Sequence, residues 1–122
     1  MDIADYINRV EKLSTQPVVV DAELSTKRES GNRASIRVKL HFYDDSILYI
    51  TERVDTSRCC ARYLTYAYQY MKEGQQVFRY DNAAHHRNFS TFPDHKHIGP
   101  ENNERILASS CPKHKDLGSS LN

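Results

Sequence analysis

Four of the six histidines in this 122-residue chain, His85, His86, His95 and His97, fall within thirteen positions. Imidazole is the side chain best suited to moving protons near neutral pH, and it is also the commonest metal ligand. Arg79, Tyr80, Arg87 and Lys96 stand among these histidines. Cleaving RNA through its own 2′-hydroxyl needs a base for that proton, an acid for the leaving oxygen and positive charge on the phosphate. Two imidazoles with an Arg or Lys supply all three without a metal. The candidate catalytic set is therefore His85, His86, His95 and His97, with Tyr80 as a further proton or hydrogen-bond donor. Arg79 and Lys96 are the candidate phosphate partners.

Two other readings compete. If "HKH" is extended, His95 and His97 point to one face, and Asp81 or Asp94 with His85 or His86 completes a ligand set. No HExxH or cysteine-based motif accompanies them, so the sequence assigns no metal and no cofactor. The bland alternative has the histidines capping strands and bonding backbone carbonyls in a polar loop. That suits one or two of the four better than all of them.

The elements that must position these groups follow from periodicity. Ile3, Tyr6, Ile7, Val10 and Leu13 recur at helical spacing, with Asp2 and Asp5 in the first turn, and Pro17 ends the helix. "VVVDAEL" (18–24) is β-rich. Ile36, Val38, Leu40 and Phe42 alternate with Arg37, Lys39, His41 and Tyr43, which predicts a strand with one buried and one wet face. A turn at Asp44-Asp45-Ser46 leads into "ILYITERV" (47–54), and "KEGQ" (72–75) joins "ARYLTYAYQYM" (61–71) to "QVFRYD" (76–81). The pattern predicts an α+β domain: an N-terminal helix, then a four- or five-stranded antiparallel sheet. Residues 82–100 follow as a long histidine-rich loop, which Phe89 and Phe92 could pin to the sheet. "NERILA" (103–108) adds at most one short element. The domain spans 1–112, and 113–122 read as a flexible tail.

The wet face supplies a second set of candidates. Arg37, Lys39, His41 and Tyr43 share one side of a strand, and Arg62, Tyr66, Tyr68 and Tyr70 share parity on a later one. Basic groups interleaved with aromatics hold phosphates and stack bases, so Arg37, Lys39 and Arg62 join the candidate RNA-binding residues. A strand that is simply solvated gives the same pattern. Net charge is only +1, so no global field argues for nucleic acid. No stretch approaches the length of a membrane span, and the acidic start has no apolar core of a signal peptide. Three cysteines, Cys59, Cys60 and Cys111, form no paired framework and fit a reducing compartment, with Cys59-Cys60 as small apolar residues opening a strand. These features predict a cytoplasmic protein.

"FRYDNAAHHRNFSTFPDHKHIG" (78–99), preceded by the Tyr-rich strand, resembles the hallmark stretch of the TumE-like toxin family of prokaryotic toxin–antitoxin modules. The likeness runs over roughly residues 36–99. Ala84 stands where that family commonly has Pro, and Asp94 where it commonly has a further His. The resemblance implies a small cytoplasmic toxin with a cognate antitoxin as protein partner. Together with the histidine chemistry it suggests a growth-arresting ribonuclease with RNA as substrate, and it leaves a homodimer open. Two rivals remain: a non-catalytic binding toxin or defence-associated interaction protein acting through the basic sheet face, and a nucleotidyl-transferring toxin. The latter lacks a Gly-rich phosphate cradle.

Overall fold

A computed structural model describes residues 1–58 and 60–119. Helix α1 (Ile3–Glu11) begins at Asp2, whose Oδ1 accepts from the Asp5 N–H at 2.8 Å while the Asp5 carboxylate reaches back to the Asp2 N–H. Two of the four orphan donors of the first turn are thereby satisfied. After a single 3-10 turn the chain enters a seven-stranded antiparallel sheet in simple meander order. Its strands are β1 (Val19–Arg28), β2 (Arg33–Phe42), β3 (Ile47–Asp55), β4 (Arg62–Lys72), β5 (Gln75–Asp81), β6 (His95–Ile98) and β7 (Arg105–Ala108). A short helix, α2 (His114–Ser119), follows.

The α+β class and the leading helix agree with the sequence reading, but the sheet has seven strands rather than four or five. The two additional strands are four residues each: β6 lies within the expected loop, and β7 is the short element at 103–108. The 82–100 segment is therefore not one histidine-rich loop: His85 and His86 are in the β5–β6 connection, whereas His95 and His97 are in β6.

Antiparallel register makes each row of residues continuous across the sheet. Ile36, Val38, Leu40 and Phe42 share a face with Leu48, Ile50 and Val54, with Tyr66, Tyr68 and Tyr70, and with Phe78 and Tyr80. All of them are buried, and the inner side of α1 and Leu117 of α2 join the same core. This corrects the assignment of Tyr66, Tyr68 and Tyr70 to the wet face. A β-bulge beside Arg53 and Val54 shifts parity after Arg62, so the tyrosines point inward while Arg62 pairs with Asp55. Residues 113–117, expected within a mobile tail, place His114 and Leu117 against the sheet. The sequence reading of Cys59 lies outside the described residues; Cys60 is exposed just before β4.

A fully buried carboxylate occupies the core face. Glu52 follows Leu48 and Ile50 in the inward series of β3 and is 1% exposed. Its carboxylate accepts from the Tyr6 hydroxyl at 2.6 Å and the Tyr68 hydroxyl at 2.5 Å, and the His114 Nε2 lies 2.6 Å away. Burial, then the nearby Glu52 charge, pushes both phenols far above their ordinary range, so they remain donors. A buried carboxylate is tolerated only when paired and hydrogen-bonded. Here those bonds tie α1, β4 and the C-terminal segment to one atom group on β3.

Tyr6→Phe should thus lower unfolding free energy by about 1.5–3 kcal/mol, the range for a hydrogen bond to a charged group. Tyr43→Phe, at a side chain 73% exposed, should stay within about 0.5 kcal/mol. Urea denaturation of the two variants beside the wild type reads both values, and equal midpoints would deny the Glu52 network its role.

Candidate functional site

Strands β5 and β6 pair with Arg79 opposite His97 and Asp81 opposite His95. Period-two alternation sends these four side chains to the face away from both helices. His95 is fully buried there, Asp81 nearly so, and the His97 side chain is 14% exposed. The Asp81 carboxylate sits between the rings: Oδ1 is 2.9 Å from His95 Nε2, and Oδ2 is 3.4 Å from His97 Nε2. Oδ2 also accepts from Arg79 Nε at 3.0 Å, and Oδ1 from the Ala83 N–H at 3.0 Å. Burial works against the Asp81 charge, yet the bonds from the Ala83 N–H and Arg79 outweigh it and hold this carboxyl below the usual range.

The outer nitrogens of both rings are also held. His95 Nδ1 lies 2.9 Å from the Pro93 carbonyl oxygen, and His97 Nδ1 lies 3.0 Å from Glu104 Oε1. A carbonyl oxygen and a carboxylate only accept, so each Nδ1 carries a proton and donates it. Glu104 is fixed from the far side by Gln76, whose amide donates to the Gly99 carbonyl at 3.0 Å and to Glu104 Oε2 at 2.9 Å. Burial raises the Glu104 carboxyl, but the His97 and Gln76 bonds more than reverse this and keep it ionised. Gly99 turns the chain between β6 and Glu104 at φ +96°, a backbone conformation that side chains disfavour.

The β5–β6 connection folds over this centre through tight backbone turns, Phe89 N–H to His86 carbonyl and Asp94 N–H to Thr91 carbonyl among them. His86 adopts φ +55° and stacks on Phe89, with ring centroids 5.4 Å apart. Its ring stands edge-on to His95 at 5.1 Å and to His97 at 6.4 Å. His85 is exposed, 6.3 Å from His86 between centroids. Asp94 accepts from the Tyr66 hydroxyl at 2.8 Å. Phe92, 37% exposed, lies beneath Arg87, whose guanidinium carbon is 5.4 Å from the ring centre.

Of the residues expected to act together, the fold gathers His86, His95, His97 and Arg79, with His85 at the rim. Tyr80 and Lys96 alternate to the opposite face, where the Lys96 ammonium lies 4.7 Å from the centre of the Tyr80 ring. Arg37 and Lys39 share the face of the histidine centre. The row Arg37–Thr51–Ala67–Asp81 runs straight across it, as does Lys39–Tyr49–Gln69–Arg79. Three strand spacings, about 14 Å, separate them from the centre. Lys39 is ion-paired with Glu23 at 3.8 Å. Arg62 lies at the far end of the same sheet beside Asp55. Glu104 and Gln76 escaped the sequence reading: Glu104 lies in the β6–β7 connection, which has no periodic signal, and Gln76 stands near the start of β5 beside a bulge.

The sequence pattern described as "Toxin TumE" matches residues 6–121, nearly the whole chain. The chain belongs to the TumE toxin family. Membership points to the toxin component of a toxin–antitoxin system and hence to a cognate antitoxin partner. Nothing among curated proteins or solved structures matches the chain. In this TumE-family toxin, no helix among the described residues is long and apolar enough to cross a membrane.

The bonding assigns tautomers that can be observed. A long-range ¹H–¹⁵N spectrum should place a slowly exchanging proton on His95 Nδ1, whereas exposed His85 should show none. A His95 ring protonated on Nε2 alone would contradict the Pro93 bond.

Proposed function

We propose that this TumE-family toxin arrests growth by cleaving RNA at the helix-free face of its sheet. The observation that carries the reading is the position of His86, a part-exposed imidazole held over a charged centre that already contains Arg79. The wider face supports it, since Arg37 and Lys39 sit in register with that centre at a distance of a few nucleotides.

The roles divide by accessibility. His86 takes the 2′-hydroxyl proton as the oxygen attacks phosphorus, and His85, the other accessible imidazole, protonates the departing 5′-oxygen. The products are a 2′,3′-cyclic phosphate and a free 5′-hydroxyl. Arg79, its side chain 37% exposed, meets the charge that grows on the phosphate. His95 and His97 are engaged at both ring nitrogens, so they act as positioning residues and do not themselves exchange protons with substrate. Tyr80 and Lys96, on the other face, take no part in this scheme.

Induction of the wild type beside His86→Ala and Arg79→Ala variants of matched abundance tests the proposal. Removing a general base typically costs 10²–10⁴-fold in rate. The variants should therefore lose growth arrest together with new RNA fragments ending in 2′,3′-cyclic phosphate. Arrest by both variants with intact RNA would reject it. Loss of arrest on charge reversal at Arg37 and Lys39 instead would favour a non-catalytic toxin that binds through the sheet face.

A further inference from the structure

The contacts around Asp81 contain an unresolved pairing. With each Nδ1 proton committed to Pro93 or Glu104, a neutral His95 or His97 presents only a lone pair at Nε2. Both lone pairs face the Asp81 carboxylate, itself purely an acceptor, at 2.9 and 3.4 Å. Acceptor against acceptor is repulsive unless a proton or a metal ion lies between them. From this geometry we infer that Asp81, His95 Nε2 and His97 Nε2 form a binding site for one divalent first-row transition-metal ion of the zinc type.

Four features support this assignment beyond the residue types. The ligand atoms of the three side chains all lie within 4.8 Å of one another. Two nitrogens and one carboxylate oxygen are a donor set suited to zinc and its neighbours rather than to calcium or magnesium. The outer nitrogens make the bonds that accompany metal-ligating histidines, one to a backbone carbonyl and one to a carboxylate, which fix ring orientation and raise ligand basicity. The ligands also stand on paired strands at β5 and β6, so their spacing is set by sheet register rather than by a loop.

Charge argues the same way. Asp81 and Glu104 bring two negative charges to the centre and Arg79 one positive. Two extra protons, one on each Nε2, would supply the same charge as one divalent ion, but they would put two cationic rings 4.9 Å apart between centroids. A single ion meets all three acceptors from one point. Three protein ligands leave further coordination positions vacant, and His86 is the nearest imidazole outside the set. The sequence reading assigned no metal because "HKH" carries no recognised spacing; the partner across the strand pair supplies what the linear motif lacks.

The test uses the full chain, stripped with a chelator and titrated with Zn²⁺ by calorimetry and with Co²⁺ by visible absorption. We expect saturable binding of one ion per chain and intensified Co²⁺ d–d bands. Asp81→Asn and His97→Ala should abolish both, while His85→Ala and His41→Ala should leave them unchanged. Glu104→Gln keeps the ligands and the shape but alters the His97 support, and should weaken binding about 10–100-fold. It serves as the decisive variant if the ligand substitutions fail to fold by circular dichroism. Absence of saturable binding, or equal binding by wild type and Glu104→Gln, would overturn the inference. The readout is the ion itself, so a failed RNA-cleavage experiment leaves this result standing, and the reverse also holds.

Discussion

The pairing of β5 with β6 is the constraint on which the functional face depends. Asp81 opposes His95 and Arg79 opposes His97 only in this register. A slip of β6 by one residue would turn His95 and His97 to the helix-covered side, away from Arg79 and Asp81. Several elements guard against such a slip. Phe78 and Tyr80 belong to the core face of β5, so hydrophobic burial and the polar centre demand the same alignment. At the open end, Gly99 donates to the Val77 carbonyl and returns the chain toward Glu104. At the other end, the Asp81 carboxylate caps the Ala83 N–H where the strand gives way to the His86 turn.

Two buried carboxylates, on opposite faces of one sheet, make the logic of the molecule visible. Each costs several kcal/mol to desolvate unless its surroundings repay it. Glu52 is repaid by groups with protons to give: two phenols that burial keeps protonated, and His114. Such a site is closed, since every strong donor is already spent on holding helices and strands together. Asp81 has one guanidinium and one backbone N–H as unambiguous donors, and its remaining neighbours are imidazole nitrogens whose protons are engaged elsewhere. The first carboxylate is bound up in the fold, whereas the second retains capacity for a cation. That asymmetry separates a structural polar cluster from a chemical one even where both are buried.

Much of this could be read from the chain, and the failures have physical causes. Helix α1 and strands β2 to β5 were legible because long periodic runs report which face is buried, and β1 because its residues favour strands. Strand β6 was not, and β7 showed only as a short element of no stated type, because four residues carry barely one alternation, and "HKHI" is polar on both sides until a neighbour assigns its faces. The inward tyrosines of β4 misled for a different reason. A bulge that shifts parity leaves no mark in composition, and an amphipathic phenol suits either face until its hydroxyl finds a partner such as Glu52 or Asp94. Glu52 itself did leave a signal, as a charge in the apolar series Leu48, Ile50, Val54. Glu104 left none, since its contact with His97 depends on how the chain returns after Gly99.

The division of labour between faces explains why the histidine centre sits where it does. A seven-stranded sheet with apolar rows on one side needs only α1 and the α2 segment to cover them. Covering the other side as well would require burying Arg37, Thr51, Gln69 and Arg79, which offer little apolar area against their desolvation cost. The polar face therefore stays open on energetic grounds alone, whatever it binds. Within it, small residues at Thr51 and Ala67 leave the path between Arg37 and Asp81 low, while Tyr49 and Gln69 border it one row away. The centre is buried not by a covering helix but by its own β5–β6 connection, with His86 at the boundary between buried charge and open face. The sheet that positions this centre thus also extends the polar surface beside it.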